Sequence, residues 1–306
     1  DAVITITEGL QEELIAGGVS PSRIHIVPNG VDTDRFHPTE PSDRLRSDLA
    51  IGGRVVIGYA GSLVGYEGLD DLLLATARLV STHGDLFCVL IVGEGKSMPL
   101  LEAMVVDLGI QDHVIFTGRV PHQEIETYYS IMDICPIPRK SVPVCEMVSP
   151  LKLLETMSMG KAVVVSSVRA LRDTVLDHET GLIFEKSDID DLAHKLAMLI
   201  DDPDLRQRLG ARARQWVVAE RGWQKLSESV VKVYESVVGS PLNDATQSQL
   251  PSPVSGAIDA LETQVIALRE KVLELEHSVS PITDDDSHDQ VVALQRECAA
   301  AGSAAL

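Results

Sequence analysis

From residue 54 onward the chain alternates short, continuous apolar runs with longer stretches in which apolar residues recur every three or four positions. The runs at 54–61, 86–93, 113–118, 133–138, 162–167 and 181–184 are rich in β-branched residues and predict strands. The stretches at 69–82, 98–109, 122–131, 150–159 and 168–176, followed by 188–200, 203–219 and 222–238, predict helices. Strands that are apolar at every position, rather than at every second one, are covered on both faces. That implies parallel strands between two helix layers, so the pattern predicts a doubly wound α/β fold, Rossmann-like in its alternation.

The flanks differ from this body. Residues 1–38 hold the strand-like DAVITIT, a helix at 8–17, a second strand in RIHIVP and the turn-rich NGVDTDRFHP, which reads as a hinge into a domain spanning 39–238. The opening on Asp1 rather than Met gives 1–38 the look of the end of something longer. Residues 239–256, rich in Ser, Pro, Gly and Gln, read as a flexible linker. Over 257–278, Ile258, Leu261, Val265, Leu268, Val272 and Leu275 follow one another at alternating spacings of three and four, with β-branched residues at a and leucine at d. That is the preference of a parallel two-stranded coiled coil. An acidic, Ala-rich tail fills 279–306.

Composition narrows the function classes. With 306 residues, 44% of them apolar, and a mean hydropathy of +0.10, the chain can bury a sizeable core. A formal charge of −20, from 46 acidic against 26 basic residues, repels nucleic-acid phosphates, so no nucleic-acid partner is expected. Cys88, Cys135, Cys145 and Cys298 form no CxxC, and the nine histidines form no HExxH; reduced thiols and a cytoplasmic location are the simplest reading. No apolar run approaches the ~20 residues of a membrane helix, and no signal peptide is visible.

Candidate chemistry gathers in SPLKLLE, residues 149–155. Ser149 is a good N-cap and Pro150 suits the first helical position, so a helix is expected to start there, with its N–H groups pointing out of the carboxyl edge of the sheet. Such an entrance attracts anions. A phosphate there would meet backbone donors and, one turn in, the ammonium of Lys152. Glu155 follows at a distance suited to a sugar diol. Phosphate plus diol means nucleotide; the alternative is a plain cap with Lys152 and Glu155 in solvent. Gly58, Gly61, Gly65 and Gly68 line the loop from the first strand of this domain into its helix, where small residues let a ligand approach the backbone, although a merely flexible loop has the same composition. Gly93-x-Gly95 lacks a third glycine, Met98 standing in its place, so a dinucleotide fingerprint is not supported. Asp32-Thr33-Asp34 spells DxD but sits in the hinge, and no metal site is assigned to it. Cys145 and Glu146 are expected in a loop.

Taken as an ordered series, PNGVDTDRFHP, GYAGSLVGYEGLDDLL, LIVGEG, VIFTGRVPHQEIETYYSIMDICPIPR, SPLKLLETMSMGKAVVVSS and DHETGLIF resemble the donor half of a family-four glycosyltransferase of GT-B fold over about residues 1–238. The resemblance implies a retaining transfer from a nucleotide diphosphate sugar to a glycan, lipid or small-molecule acceptor, with neither a metal nor another cofactor. It implies that Glu155 holds the ribose hydroxyls, that Ser149, Pro150, Leu151 and Lys152 hold the diphosphate, with Lys152 and Glu155 the residues closest to catalysis, that Gly61, Ser62 and Gly65 border the donor, and that Arg119 and Val120, after Gly118, border the base. It makes 1–38 the end of an N-terminal acceptor domain, through which peripheral membrane association would run. Without that wall, turnover is not expected, and Val230, Val231, Val233, Tyr234 and Val237 of the last helix are expected to be exposed.

The chain departs from the pattern at three positions. Ser62 and Glu67 stand where many members carry an arginine and a lysine, and Met147 where many carry a glutamate, with Glu146 one residue away. Arg139 and Lys140 are candidates to compensate. Two rival readings follow: a GT-B sugar-nucleotide epimerase, and a non-catalytic sugar-nucleotide-binding or assembly module. The seam 258–275 is expected to form a weak homodimer, because three heptads have the marginal stability of short isolated helices. Sedimentation of the full chain against one ending at Ser240 checks this. A concentration-dependent dimer is expected only for the full chain, and identical monomers would assign the seam to packing on its own domain.

Overall fold

A computed structural model describes residues 2–238; the expected linker, coiled coil and tail lie outside the described residues. The first segment is a βαβ unit: β1 (Val3–Thr5), α1 (Glu8–Ala16) and β2 (Ile24–Ile26), with β1 and β2 paired in parallel. After α2 (Asp43–Asp48) come β3 (Val55–Ala60), α3 (Leu69–His83), β4 (Phe87–Val92), α4 (Met98–Asp107), β5 (Val114–Gly118), α5 (Ile125–Ile131) and β6 (Ile134–Ile137). The chain continues through α6 (Pro143–Met147), α7 (Leu151–Ser158), β7 (Ala162–Ser166), α8 (Arg169–Arg172), β8 (Leu182–Phe184), α9 (Ile189–Asp201), α10 (Pro203–Glu220) and α11 (Trp223–Val238).

The main sheet is six-stranded, in the order β5-β4-β3-β6-β7-β8, and every pairing in it is parallel. The expected doubly wound α/β fold is therefore present. Alternate residues of each strand feed separate cores. On one face Ile57, Tyr59, Phe87, Val89 and Ile91 meet Leu72 and Leu73 of α3, Leu101 of α4 and Leu196 of α9. On the other, Val56, Leu90, Val163 and Val165 meet Tyr129 of α5, Leu153 and Met157 of α7 and Val217 of α10. Each such fully buried aliphatic side chain contributes about 1.5–3 kcal/mol.

Strand order reverses between β3 and β6, so the loops leaving these two neighbours diverge and open a crevice at their carboxyl ends. Two glycines allow the loops to approach. Gly68 opens α3 at φ 73°, and a Cβ there would lie 1.9 Å from the Pro138 carbonyl oxygen just after β6. Gly93, after β4, has φ 138°, and its Cβ would lie 1.9 Å from the Gly61 carbonyl oxygen after β3.

Several expectations need correcting. The stretch 168–176 is helical only as α8, and 122–131 begins as a 3-10 turn at His122–Glu124 before α5. The helices α2 and α6 fall below the length at which apolar periodicity is visible, and α6 carries Cys145 and Glu146, which are not in a loop. On α11, Val233 is buried and Val230 half-buried, because this face turns back onto the body of the chain; Val231, Tyr234 and Val237 are exposed as expected. Cys88, Cys135 and Cys145 are buried and unpaired.

The βαβ unit is tied to the segment between α6 and α7. Thr7, whose side chain caps α1 by accepting the Leu10 N–H, donates its hydroxyl to the Met147 carbonyl (2.5 Å), and Asn29 donates through Nδ2 to the Ser149 carbonyl (3.0 Å). Arg169 reaches Glu12 (2.6 Å) and Glu8 (3.3 Å) on α1. The Val31 N–H donates to the Arg221 carbonyl between α10 and α11.

A Gly68→Ala substitution would combine left-handed backbone strain with a backbone collision, which predicts a loss of about 2–4 kcal/mol. Thermal melting measures it, and a Gly65→Ala control, where a Cβ has nothing within 4 Å, should change little.

Candidate functional site

The crevice between β3 and β6 contains a buried cluster of charge. Glu67, in the turn before α3, is 3% exposed and Arg139, just after β6, is 7% exposed. Arg139 Nη2 donates to Glu67 Oε1 at 2.9 Å, and Lys152 Nζ, from the first turn of α7, lies 3.0 Å from Glu67 Oε2. Lys152 also donates to the Tyr59 hydroxyl, which donates in turn to the Ser62 carbonyl (3.0 Å). Arg139 Nη1 donates to the Val148 carbonyl at 2.9 Å. Burial opposes the charge on Glu67, but Lys152 and Arg139 outweigh it and hold the carboxyl below its ordinary value. Burial pulls the Lys152 ammonium below the usual lysine value, and Glu67 opposes that pull.

Lys152 therefore is not a solvated side chain, and Glu67 is a counter-ion rather than a gap in the cation pattern. Lys140, by contrast, turns away to Asp70 and lies 3.9 Å from Asp71, both in the first turn of α3.

The helix entrance is shifted by one residue from the expected position. Pro150, extended at φ −79°, ψ 142°, is the cap and Leu151 the first helical residue; no side chain caps the helix. Ser149 is not the N-cap, since Pro150 is itself extended rather than helical and the Ser149 carbonyl accepts from Asn29 instead of from a helical N–H. The Leu153 N–H donates to the Pro150 carbonyl (3.3 Å), while the N–H groups of Leu151 and Lys152 precede any intrahelical acceptor. Leu151 is half exposed. Gly61 stands against Lys152, a Cβ at that position falling 2.7 Å from Nζ, while Ser62 and Gly65 are exposed on the same loop.

Glu155, half-buried one turn after Lys152, accepts a hydrogen bond from the Tyr129 hydroxyl at 2.9 Å. Tyr129 is fully buried; burial first, then the neighbouring carboxylate, raises its phenol well above the usual tyrosine value. Its proton thus stays on, and it orients the carboxylate. Arg119 is largely exposed at the end of β5 and pairs with Glu94 at 3.2 Å; Val120 beside it is half-buried. These two lie two strands away from β3, at the far end of the crevice.

Glu146 faces another set of partners. It accepts from the Arg169 N–H (2.7 Å), Lys186 Nζ (2.6 Å) and the Ser141 hydroxyl (2.6 Å). Partial burial opposes ionisation, but these three donors prevail and bring its carboxyl down to about 2. Met147 is engaged through its carbonyl by Thr7. In the DxD string, Asp32 Oδ1 accepts the N–H groups of Asp34 and Arg35, and among the described residues no group of three His, Cys, Asp or Glu side chains is placed to hold a metal ion.

The structure thus brings Gly61, Lys152 and the α7 entrance together, with Glu155 behind them, and leaves Arg119 and Val120 apart. Sequence reasoning missed Glu67, Tyr59 and Tyr129. The signal available for Glu67 was its place beside Gly68 at the head of an amphipathic helix, where a carboxylate without a partner would be costly.

The profile of Glycosyl transferases group 1 matches residues 42–216, more than half of the chain. The chain belongs to this family. The profile of Glycosyltransferase Family 4 matches residues 1–35, ahead of that match, and agrees with the family-four GT-B resemblance. A GDP-mannose-dependent alpha-(1-6)-phosphatidylinositol monomannoside mannosyltransferase of Mycobacterium tuberculosis is 30% identical over 230 residues, covering 74% of this chain and 59% of that protein. A D-inositol 3-phosphate glycosyltransferase of Acidothermus cellulolyticus is 31% identical over 241 residues, covering 75% of this chain and 52% of that protein. This family member therefore spans a little over half the length of these relatives. Among solved structures, Anabaena Alr3699/HepE in complex with UDP has the same fold, at a TM-score of 0.69 and 19% identity over 77% of this chain and 64% of that one. The C-terminal domain of a glycosyl transferase group 1 family protein (LpcC) from Francisella tularensis matches at a TM-score of 0.54 and 26% identity, over 63% of this chain and 99% of that one.

The lowered value of Glu146 makes a pH prediction. A depressed carboxyl stabilises the fold fully above its unfolded value of about 4.5, and this contribution disappears as pH falls toward 2. Melting curves of the parent and Glu146→Gln should differ above about pH 5 and converge as pH drops through that window.

Proposed function

We propose that this chain is the donor-binding half of a retaining glycosyltransferase, which takes a nucleotide diphosphate sugar and passes the sugar to a glycan, lipid or small-molecule acceptor. The observation that carries the reading is the buried Lys152 ammonium, held against Gly61 at the entrance of α7 where strand order reverses. The family supports it, as do a relative named as GDP-mannose-dependent and a structural neighbour solved with UDP. In this reading the diphosphate lies across the leading N–H groups of α7, where the helix dipole and Lys152 meet its charge. Charge grows on the diphosphate as the sugar departs, so fixed donors there stabilise the transition state more than the ground state. Glu155, oriented by Tyr129, accepts from the ribose hydroxyls. Arg119 and Val120 border the base. No step needs a metal.

Catalysis in this reading takes place in a cleft between two domains, and this chain spans a little over half the length of the relatives it matches. Donor binding without turnover is therefore proposed for this chain.

Titration with UDP-, GDP- and ADP-sugars tests the reading. Saturable binding of at least one is expected, unchanged by EDTA and without acceptor-dependent nucleotide release; failure of all three to bind would overturn it. Glu155→Ala should weaken nucleotide binding by roughly 1.5–3 kcal/mol, since a diol loses a charged acceptor. Lys152→Ala should cost more for nucleoside diphosphates than for nucleosides. Calorimetry of both variants reads these losses.

A further inference from the structure

We propose that Glu67 is the positioning residue of the diphosphate site: its carboxylate fixes Lys152 against Gly61 and keeps it charged, so that the site presents one oriented ammonium. The proposal rests on the donor-site reading above. Its basis is the geometry of three charges inside the protein. Glu67 and Arg139 are buried, the Lys152 side chain is 15% exposed, and none of the three charges has bulk water as its main partner. Such groups persist only when paired and hydrogen-bonded. Glu67 stands between the other two: Oε1 takes Arg139 Nη2 from the β6 side, and Oε2 takes Lys152 Nζ from the entrance of α7. The carboxylate itself comes from the loop that leaves β3. One side chain thus joins the two walls of the crevice.

An ammonium has three N–H donors. Tyr59 and Glu67 take two, from directions that fix where Nζ sits. Nζ lies beside Gly61, where a Cβ would fall 2.7 Å from it, so only a glycine leaves that side of the ammonium without a side chain. The remaining donor is suited to a phosphate oxygen brought in along the glycine loop. One carboxylate against an ammonium and a guanidinium leaves a single net positive charge, and the positive end of α7 adds to it. Arg139 has further anchors in the Val148 carbonyl and, through its own carbonyl, the Ser166 hydroxyl, so it remains held when Glu67 changes. Among the described residues, the Lys152 ammonium has only Tyr59 besides Glu67 as a hydrogen-bond or ion-pair partner.

Removal of the Glu67 charge therefore acts on Lys152 in two ways. The ammonium loses the partner that orients it. It also loses the larger of the two negative charges that oppose its burial, Glu155 being the smaller and the Arg139 guanidinium working against both, so it gives up its proton at a lower pH. The test is calorimetric titration of UDP, GDP and ADP, with the matching nucleosides as controls, into the parent, Glu67→Gln, Lys152→Met and the double variant between about pH 7 and 9. For the nucleoside diphosphate that binds, Glu67→Gln is expected to lose about tenfold or more at pH 7. The loss should widen as pH rises, with nucleoside affinity unchanged. The double variant should bind about as Lys152→Met does, because Glu67 acts through a residue already removed. Glu67→Asp, which keeps the charge, should restore a flat pH profile even where affinity is reduced; it also supplies the comparison if Glu67→Gln fails to fold by its melting curve. Parent-like affinity of Glu67→Gln at every pH, or losses that multiply in the double variant, would overturn the proposal. A parent that binds no nucleoside diphosphate overturns the donor-site reading itself, an outcome seen in the parent before any variant is compared.

Discussion

The adjacency of β3 and β6 is the constraint on which the site depends. Six parallel strands present all their carboxyl ends along one edge, and most loops at that edge simply run to the next helix. At the reversal alone, two neighbouring strands send their chains in opposite directions. Glu67 from one loop and Arg139 from the other can then meet across the gap, with α7 entering beneath them. The close approach at Gly68 follows from the same adjacency, since loops that must pass within hydrogen-bonding distance leave no room for a side chain.

Charge placement follows a second rule. The chain is strongly acidic, yet its crevice holds two cations and one anion with little access to water. The acidic excess lies elsewhere, in exposed residues such as Glu8 and Glu12. Lysine and arginine near the crevice differ in what they are free to do. Lys140 is neutralised locally by α3, Arg139 is held by a carboxylate and a carbonyl, and Lys152 lies against Gly61, where no side chain stands beside Nζ. Counting cations near a candidate anion site would have ranked these three together. Their hydrogen bonds separate them.

Much of this was legible in the sequence. Continuous apolar runs gave the strands of the main sheet and their two-sided burial, because a strand buried on both faces leaves a mark at every residue. Lys152 and Glu155 could be picked out as a pair because a Ser-Pro step before an amphipathic helix marks its entrance. The exact cap could not: Ser149 and Pro150 are both acceptable there by propensity, and a long-range bond from Asn29 decides between them. The partners of Glu67 and Glu155 were hidden for the same reason. Arg139 is 72 residues from Glu67 and Tyr129 is 26 from Glu155, and no local pattern carries such a pairing. Glu146 sat one position from a place of interest, but its orientation toward Lys186 depends on the short α6, which apolar periodicity cannot reveal.

The grip of Thr7 and Asn29 on the Met147 and Ser149 carbonyls has a mechanical consequence. These two acceptors flank Val148, whose own carbonyl holds Arg139. Three successive peptide oxygens are therefore anchored, the outer pair to the N-terminal βαβ unit and the residues just after it, and the middle one to the charged crevice. A displacement of the βαβ unit and the residues that follow it would pull on the outer two anchors, Thr7 and Asn29, while Arg139 holds the middle one. The strip that leads into α7 thus behaves as a taut crosspiece, and whatever loosens the βαβ unit slackens the entrance of that helix in the same movement.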